Sequence, residues 1–130
     1  MDTTAEISHA LPYLRRYARA LTGAQVSGDN YAAATLEAIL SDRSVLEDGN
    51  DAKTALFRTF HGIWISTGAP VEKEEDPLRA RAQKHLAKLT PNTREALLLH
   101  TVEEFPLSDV ATIMQIEPPE AEELITIARR

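Results

Sequence analysis

Between Pro91 and Ala128 lie eight carboxylates and a single basic side chain: Glu95, Glu103, Glu104, Asp109, Glu117, Glu120, Glu122 and Glu123 against Arg94. Eight negatives less one positive leave −7 with histidine neutral. Four of the acids, Glu117, Glu120, Glu122 and Glu123, open what the pattern marks as the last helix. Acids there suit the positive end of a helix, but they repel phosphate. DNA affinity comes largely from Lys and Arg neutralising phosphates, and nothing basic replaces them here. The chemistry on offer is attraction of a basic protein segment.

Other reactive groups do not assemble into a set. The four histidines, His9, His61, His85 and His100, lack the repeated helical spacing of a ligand set. His100 with Glu103 or Glu104 comes nearest and reads as a surface pair. There is no Gly-rich phosphate loop, no G-x-S-x-G and no cysteine. The chain reads as no enzyme, with no cofactor and no metal.

The 130 residues suffice for one ordinary domain or two small helical units. With 43% hydrophobic and 26% charged residues the chain is globular, and its net charge of −6 disfavours nucleic acid or an anionic membrane as partner. The opening MDTTAEISHALPYLRRY lacks the pattern of a signal peptide, and no apolar run approaches a membrane span. A cytoplasmic location is the expectation.

Three helices in close succession carry the acidic stretch. Thr90 caps the first, with Pro91 at its first position and Ala96, Leu97, Leu98, Leu99 and Val102 along it. A break at Glu104, Phe105 and Pro106 precedes a short helix with Val110, Ala111, Ile113 and Met114 on one side. After a turn at Gln115 and Ile116, Pro118 and Pro119 begin the last helix, whose apolar stripe is Ala121, Leu124, Ile125 and Ala128. The second and third helices form a helix-turn-helix.

The rest of the chain predicts more helices. Ile7, Leu11, Leu14, Ala18 and Leu21 make the stripe of a helix over 5–21, with Pro12 suited to its first turn and Thr22-Gly23 ending it. Arg15, Arg16 and Arg19 read as a solvated face. Ser27-Gly28-Asp29-Asn30 reads as a turn and cap before a helix over 29–40 that buries Ala32, Leu36, Ile39 and Leu40. A loop over 42–51 precedes a helix over 52–67 with Phe57, Phe60 and Trp64 in its core. The polar, proline-bearing segment 68–76 is a linker. Asp76 and Pro77 then start an amphipathic helix reaching about residue 89, with Leu78, Ala82, His85 and Leu89 facing in. The expectation is an all-α chain of two units, 1–67 and 77–130, that face each other loosely across a linker at 68–76 open to proteolysis.

LTPNTREALLLHTVEEF, LSDVATIMQI and the closing Ala128-Arg129-Arg130 resemble region 4 of extracytoplasmic-function sigma factors. In that family the last helix carries a Lys and two Arg where Glu122, Leu124 and Ile127 stand here. LPYLRRYARALTG and LFRTFHGIWIST resemble region 2 of the same family and the helix after it. The Gln-Glu pair that docks on RNA polymerase aligns with Ala33 and Ala34, and the Arg-Asn of the later helix with His61 and Gly62.

A sigma-like chain without those residues resembles the sigma-like (EcfG-like) N-terminal domain of PhyR-type anti-anti-sigma response regulators of the bacterial general stress response. GDNYAAATLEAIL strengthens that resemblance. The resemblance implies a sigma-factor mimic that binds and sequesters a NepR-type anti-sigma factor and so releases the true sigma factor. It implies a C-terminal receiver domain, carrying the phosphorylated Asp, as a further partner outside this sequence, which then reads as an excised domain. It implies no specific DNA, no RNA polymerase and no membrane as partners. A DNA-binding extracytoplasmic-function sigma factor or helix-turn-helix regulator, and a helical module unrelated to transcription, stay as alternatives.

A mimic must present apolar faces to a partner helix. In the first unit the expected contacts are Tyr13, Tyr17, Tyr31 and Ile65, with Tyr13 and Tyr17 sharing an exposed face. In the second they are Leu107, Val110, Met114, Leu124 and Ile127, flanked by Glu120, Glu122 and Glu123. Val110 and Leu124 also suit the core.

Overall fold

The computed structural model describes residues 3–47, 51–73, 76–82 and 84–130, and all regular structure among them is helical. Parts of the expected loop at 42–51, of the linker and of the helix after it (48–50, 74, 75 and 83) lie outside the described residues.

Helix α1 spans Thr3–Thr22 and passes straight through Pro12. Pro12 therefore lies inside the helix and not in its first turn as expected. Pro12 is exposed, and so is Ser8 four residues back, where water can take the carbonyl that a proline leaves without a donor. Gly23 ends the helix with φ +79°, a conformation glycine adopts without strain.

Helix α2, Gln25–Ser41, starts four residues earlier than its turn signal suggests. Gly28 is buried in the α1–α2 contact, where a Cβ would lie 2.6 Å from the Arg19 backbone. Asp29 receives the Arg19 guanidinium at 2.7 and 2.9 Å. Both residues serve the packing of two helices and not a turn. Ala32 and Ile39 are buried and Leu36 half-buried, but Leu40 is exposed, against expectation.

A 3-10 turn, Arg43–Glu47, leads toward α3, Ala52–Ser66, which Asp51 caps by accepting from Thr54 N–H at 2.7 Å. Leu56, Phe57, Phe60 and Trp64 are fully buried. Burial of each such side chain is worth about 1.5–3 kcal/mol.

The segment after α3 does not hang free. Trp64 Nε1 donates to Pro70 O at 3.1 Å, Ala69 N–H to Trp64 O at 2.9 Å, and Glu72 N–H to Thr22 O at 2.6 Å. Ser27 Oγ also donates to the Glu72 carboxylate. Residues 69–72 are therefore clamped to the ends of α1 and α3.

Helical segments α4, Pro77–Ala82, and α5, Lys84–Ala87, fall within the span of the expected helix, on either side of residue 83, which lies outside the described residues. Asp76 caps α4 through Leu78 N–H at 2.9 Å. Leu78 is exposed and not inward, and His85 is exposed while its Nε2 reaches Ala128 O at 2.7 Å.

Helix α6, Pro91–Leu97, carries the expected Thr90 cap and widens into a π turn at Leu98–Val102, which leaves Val102 exposed. Helices α7, Leu107–Met114, and α8, Pro118–Ala128, meet across a left-handed Gln115 with φ 58°. Val110, Ala111, Ile113 and Met114 point inward, as do Ala121, Ile125 and Ala128.

The two halves do not face each other loosely. One hydrophobic core runs from Leu14, Leu21, Phe57 and Phe60 into Leu98, Leu99, Phe105 and Ile113. Phe57 of α3 meets Phe105, after the π turn, edge to face at 5.0 Å. The expectation of loose facing rested on the polar linker, whereas the packing is set by buried side chains such as Phe57 and Phe105.

Candidate partner surface and the seam beneath it

The seam is fastened by polar groups as well as rings. Arg16 of α1 grips Glu103 through Nε at 3.3 Å and Nη2 at 2.9 Å, and the Glu103 side chain is fully covered. Arg19 pairs with Asp29, and Arg15 approaches the same carboxylate at 3.8 Å. The three arginines expected on a solvated face are thus drawn into ion pairs. The Arg19 guanidinium holds the Asp29 carboxyl below its usual range. Arg94 of α6 sends Nη2 to Ala20 O at 2.5 Å and Nη1 to Leu86 O at 3.3 Å, tying α1 to the second half and α5 to α6 within it. Its burial lowers its affinity for its proton.

Deeper still, Glu95 Oε2 lies 2.7 Å from His61 Nδ1, and the Glu95 side chain is wholly buried. Burial pushes the Glu95 carboxyl up, and the hydrogen bond with His61 pulls it back. Tyr17 stands over this pair. Its phenol is raised well above the ordinary value, first by burial and then by the charges of Glu95 and Glu103. Sequence spacing missed the pair because its members are 34 residues apart. A signal was present: Glu95 falls in helical register with Leu98 and Leu99, and His61 with Phe57 and Trp64. His100, in turn, does not pair with Glu103 or Glu104; its Nδ1 reaches Phe105 O at 3.1 Å.

Of the expected contact residues in the first half, Tyr13 is 48% and Ile65 47% exposed, while Tyr17 is 1% exposed. The shared Tyr13–Tyr17 face is therefore corrected. Tyr17 falls three residues after Leu14 and four before Leu21, on the inward stripe, and packs on Phe57 and Phe60 at 5.2 and 5.5 Å. Tyr31 is half-buried against Phe60 and its hydroxyl bonds to Thr67 Oγ1.

Tyr13 lines an apolar groove of about 420 Å³ with Glu6, His9, Ala10, Asp51, Ala52 and Lys53. The Lys53 ammonium lies 5.1 Å from the Tyr13 ring centre and 4.9 Å from that of Phe105, so it too bridges the halves.

In the second half Val110 and Met114 are buried and belong to the core, which withdraws them as surface contacts. Leu107 and Leu124 are half-buried. Glu120, Glu123, Leu124 and Ile127 fall at helical spacing on one face of α8, with Ile127 41% exposed and Glu120, Glu122 and Glu123 open to solvent. This helix presents acid and apolar side chains where a groove-reading helix presents bases.

Among the described residues no cluster of three or more His, Cys, Asp or Glu could hold a metal ion, and no helix is long and apolar enough to cross a membrane.

Two family models cover most of the chain: the Sigma2 domain of PhyR matches residues 7–61, and the sigma-like domain of the response regulator PhyR matches residues 86–130. The chain belongs to the PhyR family. The phyllosphere-induced regulator PhyR of Methylorubrum extorquens is 38% identical over 130 residues, which are 100% of this chain and 49% of that protein. The chain thus spans about half the length of the curated PhyR it matches. The NMR structure of the PhyRSL–NepR complex from Sphingomonas sp. Fr1 matches with TM-score 0.82 and 38% identity, over 99% of this chain and 85% of that one. The sigma factor RpoE of Bartonella quintana, solved in complex with the anti-sigma factor NepR, gives TM-score 0.81 over 97% of this chain and 91% of its own. At 20% identity that likeness speaks for the fold alone, a sigma-factor fold shared by PhyR and by a sigma factor.

Proposed function

We propose that this PhyR-family chain is a sigma-factor mimic that captures a NepR-type anti-sigma factor and thereby frees the true sigma factor for stress-response transcription. One observation carries the reading: α8 keeps the place of a recognition helix but presents Glu120, Glu122, Glu123 and Ile127 to solvent. Such a face repels phosphate and suits a basic amphipathic helix. The Sphingomonas relative, solved with NepR, supports the choice of partner. The contacts we assign are Tyr13, Tyr31 and Ile65 in 1–67, and Leu107, Glu120, Glu122, Glu123, Leu124 and Ile127 in 77–130. Tyr17, Val110 and Met114 hold these faces from within. In the full-length protein a receiver domain would govern access to the same faces. The role is binding and not catalysis, in the cytoplasm.

The test is competition. A preformed complex of sigma factor and NepR-type anti-sigma factor is titrated with the chain, and free sigma is measured by its binding to RNA polymerase. Release of sigma in proportion to added chain supports the mimic. No release, with the chain folded, refutes it.

A further inference from the structure

The seam contains more buried polarity than its packing requires. Glu95 Oε1 and the Tyr17 hydroxyl are both buried without a hydrogen bond of ordinary geometry, and the two groups neighbour each other at the 2.7 Å His61–Glu95 contact. Among the described residues no Lys or Arg pairs with the Glu95 carboxylate. Glu103 lies beyond Tyr17 and is answered by Arg16. Arg94, next to Glu95 in sequence, spends its guanidinium on Ala20 O and Leu86 O. His61 is the group that meets the Glu95 carboxylate.

The proton inventory of the pair decides its charge. With one proton beyond the single N–H of a neutral ring, the pair is either imidazolium with carboxylate or imidazole with carboxylic acid. In both forms it is neutral. Once that proton leaves, a single negative charge remains in a site closed to water, and an uncompensated buried charge is costly. The phenol of Tyr17 can donate one hydrogen bond but no charge.

We propose that His61 and Glu95 form a proton-dependent latch between the two halves, closed while the pair holds its shared proton and loosened when that proton is lost. The latch joins α3 of the first half to α6 of the second, beside the Phe57–Phe105 contact that seals the same seam. The sign follows from burial. Because the folded site holds the Glu95 proton more tightly than an unfolded chain does, the stabilisation is complete at low pH and is lost as pH rises through the folded value.

The test compares the wild-type chain with Glu95→Gln, neutral at every pH, by urea unfolding from below the unfolded carboxyl value of about 4.3 upward to about pH 9. The wild-type unfolding constant is expected to rise relative to that of the variant by up to about tenfold per pH unit within the titration window, the signature of one proton. Parallel pH profiles would overturn the latch. Two NMR readouts on the wild type stand even if the variant fails to fold. The Glu95 carboxyl carbon must report loss of its proton, and, in a separate readout, the Phe57–Phe105 ring contact must weaken with it. A pair that does not titrate, or a ring contact indifferent to its titration, overturns the proposal.

Discussion

Phe57 and Phe105 meet edge to face, 5.0 Å between ring centres, with one ring from the first half of the chain and the other from the second. Because both rings are buried, the seam behaves as core. Phe105→Ala is expected to destabilise the whole chain by about 3–5 kcal/mol, as loss of a buried aromatic does elsewhere. A single cooperative urea transition at a lower midpoint checks this. Two separate transitions in the wild type would mean that the halves unfold independently.

Gly28 sits where α2 packs closely on α1. A Cβ there would lie 2.6 Å from Arg19 Cα and 2.9 Å from the Ala18 carbonyl carbon, and backbone atoms cannot swing aside. Gly28→Ala should cost about 1–3 kcal/mol, as overpacking does, although alanine is ordinarily the better helix former. A variant more stable than the parent in urea would contradict the packing described.

Asp29 gives an acid limb. Arg19 holds its folded carboxyl below the usual value, so this contribution to stability is present above pH of about 3.9 and is lost as pH falls through the lower folded value. Unfolding midpoints of wild type and Asp29→Asn should therefore converge below that pH. A constant difference down to strong acid would remove Arg19 from the account.

The clamp on residues 69–72 changes what protease should do. Trp64 Nε1 holds Pro70 O, and Glu72 N–H holds Thr22 O. Trp64→Phe removes a hydrogen bond worth about 1 kcal/mol, so cleavage in 69–73 should speed up roughly fivefold. Equal cleavage rates in the two proteins would show that the clamp does not protect the segment.

The helices themselves were largely legible because their signals are local. Thr90 with Pro91 and Gly23 after Thr22 both mark observed ends. Where the reading failed, a residue's local preference gave way to a contact distant in sequence. Gly28 and Asp29 look like a turn but serve the α1–α2 packing and the Arg19 ion pair. Tyr17 looks like a partner for Tyr13 but follows the stripe of Leu14 and Leu21. His61 and Glu95 are ordinary residues until α3 and α6 are brought together. Of the candidate surface, the acidic face of α8 was visible because it depends only on helical spacing within one element. The seam was not, since no local pattern shows which apolar excess meets which.

The central claim, that this surface takes a NepR-type anti-sigma factor and not DNA, is tested most directly by titrating one chain with both. Saturable binding of the anti-sigma factor without any phosphodonor is expected, weakened by Ile127→Arg in a variant whose helicity by circular dichroism is unchanged. Duplex DNA should bind at most weakly, and the binding should be lost as salt is raised to about 0.15 M. Tight, sequence-dependent DNA binding at that salt, with no measurable binding of the anti-sigma factor, would contradict it.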